Sequence, residues 1–172
     1  MTKTATITCE FEYKLCIGQL AQQDAKLTKE VLEYGCIQTN EFYRIAENFY
    51  GEVIPESELD RLANLVKDSL CEKLKTSLPG HFVSNGGAKI ADISVTTFYY
   101  RDKVFVDPRS LKVYMVVYIC VSIEVTLDNE KSIDREKLFK LIANRYADFA
   151  WHGELSRYTI GTQFGELEIE YR

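Results

Sequence analysis

The chain has 172 residues, 46% of them hydrophobic and 27% charged, with 21 Lys and Arg against 26 Asp and Glu and a net charge of −5. That balance belongs to a folded domain able to bury a core. It excludes wholesale disorder and a coat that holds nucleic acid by positive charge alone.

The opening residues, Met1 to Thr8, contain no apolar stretch of the secretory type. The apolar run within 113–121 is far shorter than the roughly 20 residues a bilayer span requires. Five cysteines, odd in number and without Cys-x-x-Cys spacing, match the usage of a reducing compartment. The expectation is a single cytoplasmic domain over residues 1–172, with no membrane segment and no cofactor.

The first element is a strand. Ala5, Ile7, Cys9, Phe11, Tyr13, Leu15 and Ile17 alternate with Thr4, Thr6, Thr8, Glu10, Glu12, Lys14 and Cys16, and Gly18 ends the run. Asp24 can cap a short helix through Leu27, Val31 and Leu32, closed by Gly35. A second short helix starts near Asn40, with Phe42, Ile45, Ala46 and Phe49 on one face and Gly51 as its stop. The third helix begins near Pro55. Its stripe is Leu59, Leu62, Ala63, Val66, Leu70 and Leu74, and Pro79-Gly80 is expected to terminate it.

Ser84 to Gly87 is a turn. A strand follows over 90–101, continuing toward 106, and Asp107 to Ser110 turns the chain. From Leu111 to Leu127 every odd residue is apolar, the mark of a strand with one buried face. A last helix is expected from about Asp134 to Trp151, with Leu138, Ile142, Ala143, Tyr146, Phe149 and Ala150 inward and Gly153 beyond its end. The tail offers strands at 157–162 and 166–171, joined by a turn at Gln163 to Gly165.

This order compresses to βαββαβ, the arrangement of a ferredoxin-like α+β fold, with helices on one face of an antiparallel sheet and an inserted helical segment at about 20–54. The two most regular strands, 4–17 and 111–127, are expected as a central, mutually parallel pair beneath the two long helices. The insertion is expected to pack over a sheet edge.

The even-numbered side of the sheet then lies open. The first strand shows Thr and Glu there, but 90–101 adds Phe98 and Tyr100, and 111–127 adds Tyr114, Val116, Tyr118 and Cys120. An apolar, aromatic half-face asks for a cover. Four covers compete: a folded-back segment of the chain itself, another protein chain, single-stranded nucleic acid, or a small molecule. A long hairpin over 90–127 would project its tip, placing Val104, Phe105 and Val106 beside the same question.

Chemistry is thinly supported. There are two histidines, His81 and His152, and no metal-ligand spacing, so no metal site is expected. His81 is the one weak candidate for a general base, without a recognisable nucleophile. Ser84 to Gly87 lacks the following helix that a phosphate loop uses. The expected function is therefore non-enzymatic binding or assembly. Another protein chain, self or partner, is taken up by Phe98, Tyr100, Tyr114, Val116 and Tyr118 or by Val104, Phe105 and Val106. The alternative is RNA binding or processing on the same aromatics, with Arg101, Lys103, Arg109 and Lys112 as the phosphate contacts.

Overall fold

The computed structural model describes residues 3–21, 33–45, 51–84, 87–128 and 132–172. Within them, three helices and six strands form an α+β architecture around one antiparallel sheet. Strand β1 (Lys3–Gln19) and strand β5 (Lys112–Leu127) pair along their whole length, from Lys3 opposite Leu127 to Gln19 opposite Lys112. All the odd residues from Ala5 to Ile17 and from Val113 to Leu127 are buried, which is the alternation carried by the sequence.

The pair is antiparallel, which corrects the expected parallel arrangement. Strand β3 (Ala88–Phe98) also runs antiparallel to β5, so β1 and β3 share a direction and flank it. A strand that returns by a short turn and inserts between two such neighbours must oppose both. Helix α2 (Leu59–Ser84) makes the crossing from β1 to β3. Strand β6 (Thr159–Tyr171) closes the other side, antiparallel to β1.

The strand expected over 90–106 is broken in two. Strand β4 (Lys103–Val106) pairs with the start of β5 while β3 pairs with its remainder, so both share one edge. Between them, residues 99–102 turn toward α2: the Tyr99 hydroxyl donates to Asp60, and the Arg101 guanidinium lies 3.2 Å from the same carboxylate. The Thr39 N–H donates to the Asp102 carbonyl at 3.0 Å. The hairpin is thus held down on the body and does not project.

The inserted segment extends the sheet. Strand β2 (Cys36–Gln38) pairs with β4, and helix α1 (Thr39–Arg44) follows it. Phe42 of α1 is fully buried against Gly18, where a Cβ would lie 2.9 Å from the ring. Any larger residue at that point of β1 would require the Phe42 ring to shift. The expected contributions of Asp24, Leu27, Val31, Leu32, Ala46 and Phe49, and of the turn at 85–86, lie outside the described residues.

Helix α2 runs through Pro79, correcting the expected stop. Leu78 and Phe82 continue the apolar stripe and are 0% and 4% exposed. Burying two such side chains stabilises by about 1.5–3 kcal/mol each, enough to offset the roughly 3 kcal/mol that a mid-helix proline costs. Gly87, at φ +79°, then reverses the chain with its N–H on the Phe82 carbonyl at 2.8 Å.

The last helix is also shorter than its stripe. Asp134 caps helix α3 (Arg135–Leu141), its carboxylate accepting the Lys137 N–H at 3.1 Å. A π-turn at Ile142–Tyr146 and tighter 3₁₀ turns at Ala147–Trp151 and Gly153–Arg157 carry the chain onward. The changes of pitch still keep Leu138, Ile142, Phe149 and Ala150 in the core. The side chain of Tyr146 lies outside the described residues.

The tail is one strand. The expected turn at Gln163 to Gly165 is absorbed as a bulge, since Cys9 faces Leu167 while Phe11 faces Phe164. Phe164 packs edge-on to Phe11 at 5.0 Å and to Phe139 at 5.2 Å, so its side chain belongs to the core side and holds the strand continuous.

The turn into β5 is built on Asp107. Its carboxylate accepts the Arg109 N–H at 3.1 Å and the Ser110 hydroxyl at 2.8 Å, and its carbonyl accepts the Leu111 N–H at 2.8 Å. Leu111 sits at φ 58° and is buried.

Two consequences can be measured by chemical denaturation. Replacing exposed Pro79 by Ala restores a helical N–H, gaining about 3 kcal/mol against up to about 1 kcal/mol of added freedom in the unfolded chain. Pro79→Ala should therefore raise stability by about 2–3 kcal/mol; a loss would mean that the helix ends before it. The hydrogen bonds hold the Asp107 carboxyl below the usual carboxylate range, the Arg109 N–H first and the Ser110 hydroxyl second. A depressed folded value means the ionised form stabilises the fold above the ordinary carboxylate range and loses that effect as pH falls through the depressed value. Asp107→Ala should thus be less stable than the parent at pH 7, with the gap closing toward acid; a gap that widens in acid would contradict this.

Candidate functional site on the open sheet face

One face of the sheet carries the core beneath α2 and α3, and the side chains on the other face are exposed or half-buried apart from Val116. Cross-strand register decides which residues share this second face, because directly opposed side chains point the same way. Tyr118 faces Phe98, and Tyr114 faces Phe105. Tyr100, in the connection between β3 and β4, bridges the two pairs.

The five rings form an unbroken series of contacts. Phe98 meets Tyr100 edge-on at 5.1 Å and Tyr118 at 6.2 Å. Tyr100 meets Tyr118 at 6.1 Å and Phe105 at 6.2 Å. Phe105 stacks on Tyr114 at 5.8 Å. Val116, between Tyr114 and Tyr118 on β5, is 6% exposed, whereas Phe98 is 56% exposed. The series therefore has a closed floor and an open top.

Two lysines lean on it. The Lys103 ammonium lies 4.3 Å from the centre of the Tyr100 ring, and that of Lys14 lies 5.6 Å from the Tyr114 ring. Both phenols resist ionisation: burial, then Asp107, raises Tyr114, while burial, then Glu12, raises Tyr118. Their hydroxyls remain hydrogen-bond donors at neutral pH.

Beside the rings a groove of about 290 Å³ runs over the sheet, floored by Glu10, Glu12, Thr96, Tyr118 and Cys120 and walled by Phe98. Gly165 borders it, and a Cβ there would lie 3.3 Å from the Glu10 carbonyl, so β6 passes close to β1 at this point. A second hollow of about 650 Å³ lies on the far side of Phe98 and Tyr100, where Asp60, Tyr99 and Arg101 meet. Burial, then the hydrogen bond to Asp60, pushes the Tyr99 hydroxyl up to about 12.

The expected binding residues divide. Phe98, Tyr100, Tyr114, Val116, Tyr118 and Phe105 come together on one face. Val104 and Val106 point the opposite way and are 1% and 2% exposed, so they finish the core and offer a partner nothing. Of the four basic residues, Lys103 joins the rings. Arg101 is tied to Asp60, Arg109 is in the Asp107 turn, and Lys112 is exposed at the start of β5. Lys14, Glu10, Glu12 and Gln163 are additions that spacing alone could not assign. Their alternation was visible, but their neighbours depend on cross-strand register: Tyr118 and Gln163 beside Glu12, Cys120 beside Glu10, and the Tyr114 ring beside Lys14.

His81 stands apart from the ring series. It lies in the last turns of α2, half-buried and edge-on to Phe82 at 5.6 Å. Burial, then Lys137, lowers its pKa, so it is neutral at pH 7. It lines a shallow cleft with Lys137, Lys140, Leu141, Asn144 and Arg145. The crevice it shares with Ser132 and Asp134 measures about 10 Å³, room for a water at most. Among the described residues no group of three or more His, Cys, Asp or Glu is placed to hold a metal ion, and no helix is long and apolar enough to cross a membrane.

A comparison of the chain with family models, curated proteins and solved structures finds no match.

Thiol chemistry reads out which side of the sheet is open. Cys9 is buried on the core face, and burial, then Cys120, pushes its thiol up to about 12. Cys120 is exposed on the open face. Alkylation of the native protein at about pH 8, mapped by peptide mass, should label Cys120 and leave Cys9 untouched until denaturant is added. Labelling of Cys9 at the rate of Cys120 would contradict the assigned faces.

Proposed function

We propose that this chain is a non-enzymatic binding or assembly module that takes up another protein chain on the open face of its sheet. The observation that carries the reading is the continuous series of Phe98, Tyr100, Phe105, Tyr114 and Tyr118 on a face that carries no helix among the described residues, with Phe98 more than half exposed. Rings already locked against one another present large apolar area at little further entropic cost, and such residues concentrate at protein interfaces.

The fold is read as a ferredoxin-like split βαβ with an insertion. The order β6-β1-β5-β3, crossed by α2 and by the α3 segment on one face, supports this, with β2 and α1 as the added edge. We place the protein in the cytoplasm, a reading supported by five free thiols.

Single-stranded RNA on the same rings is the second reading. Lys103 and Lys14 against Tyr100 and Tyr114 favour it, because bases stack on such platforms beside cations. Glu10 and Glu12 on the same face oppose phosphate. The protein reading uses both kinds of charge, and the RNA reading uses one.

A photo-reactive benzoylphenylalanine in place of Phe98 tests the proposal in cells, with the same group in place of exposed Lys75 on α2 as the control. Adducts to protein should form from position 98 and not from position 75. No adduct above the control would overturn the reading, and adducts to RNA alone would replace it with the second.

A further inference from the structure

The open face is divided by charge along the strand axis. Cross-strand pairs order its side chains in levels. Toward the start of β1, Thr6 is flanked by Glu170 of β6 and Glu124 of β5, and Glu124 faces Asp92 of β3. One level on, Thr8 faces Glu168, and Glu10 and Glu12 follow on β1 itself. Beyond Glu12 the sign changes. Lys14 is level with Val116, Lys103 leans over Tyr100 and Phe105, and Lys112 opens β5. Six carboxylates, with Lys89 of β3 beside Thr126 as the one lysine among them, thus occupy one half; three lysines with Tyr114 and Phe105 occupy the other, and Tyr118 and Phe98 lie level with Glu12 at the boundary.

From this arrangement we infer that the occupant of the face is a second copy of the chain, stacked face to face with its strands running the opposite way. The inference rests on the protein-binding reading above and names its partner. A two-fold axis lying in the interface and perpendicular to the strands carries each acidic half onto the lysine and aromatic half of the other copy. The turning point falls between Glu12 and Lys14. Stacking with the strands parallel would set six carboxylates against six, so charge selects the antiparallel dimer. The surface is self-complementary, as an isologous interface must be.

The dimensions suit such a pair. Four strands at about 4.8 Å spacing and about eleven residues at about 3.4 Å rise give a face of about 700 Å². That is close to the roughly 800 Å² per partner of a stable protein interface. The apolar core of the interface would be the five rings, capped in each copy by the acidic threonine-rich half of the other.

Sedimentation velocity of the purified full chain with two charge-swapped variants tests the inference. One variant carries Lys14→Glu with Lys103→Glu, and the other carries Glu10→Lys with Glu12→Lys. All four side chains are at least partly solvated, and unchanged thermal melts will show that both variants fold. The parent should dimerise, and each variant alone should do so at least about tenfold more weakly, because like charges then meet twice. An equimolar mixture should recover the parental affinity as a mixed dimer, since each altered half meets its complement. A parent that stays monomeric to about 100 μM, a dimer indifferent to both swaps, or a mixture no tighter than its components would overturn the inference. A monomeric parent whose residue 98 cross-links to a different protein removes the second copy and leaves the binding reading standing; a monomer with no adduct removes both.

Discussion

The structure depends on the antiparallel ladder between β1 and β5. Their odd faces together bury Ile7, Phe11, Tyr13, Leu15, Val113, Val117, Val121 and Ile123 at 1% exposure or less. A shift of one residue in either strand would send that whole set into water and bring Thr6, Glu10 and Glu124 into the core. Nothing else in the chain has comparable leverage. The stripe of α2 has a surface to cover only because the ladder holds this register. Phe149 finds Tyr13 at 4.9 Å for the same reason, which ties the turns after α3 to the centre of the sheet. The edges β3, β4 and β6 then add to a template that already exists.

That ladder was legible in the sequence because a period of two leaves no ambiguity over sixteen residues. Its direction was not. Periodicity reports which face a side chain takes and is silent on strand polarity, which follows from the order of connections across the whole sheet. Punctuation by single residues misled for a related reason. Pro79 and Gly165 are local signals of a stop, and both are overridden by what lies on either side. Leu78 and Phe82 keep the helix packed, and Phe164, between Phe11 and Phe139, keeps the strand continuous. The break between β3 and β4 carried the opposite problem. The stretch 90–106 reads as one strand, and the ties of Tyr99 and Arg101 to Asp60 and of Asp102 to Thr39, far away in sequence, lift residues 99–102 from the ladder.

The candidate site was half legible on the same terms. An excess of apolar residues at even positions identified Tyr114, Val116 and Tyr118, since a strand with one wet side has no use for them there. Phe105 could be joined to them only through its pairing with Tyr114, and Val104 and Val106 could be removed only by the same parity. Lys14 was visible as one more polar position in β1. Its contact with Tyr114, reached across the ladder, gives it a place in the site.

The proposed second copy would account for the division of the open face along its strands. β1 changes from Glu10 and Glu12 to Lys14. β5 changes from Glu124 to Tyr118 and Tyr114, β3 from Asp92 to Phe98, and β6 from Glu168 to Gln163. Four strands from distant parts of the sequence switch character at about the same level. Folding does not demand this: solvated side chains away from caps and buried networks each shift stability by about 0.5 kcal/mol or less. Clustering six carboxylates works against the monomer through mutual repulsion, and leaving Phe98 in water works against its solubility. Both features are costs to an isolated chain. In the proposed dimer they become favourable together, because each copy sets its lysines across the other's carboxylates.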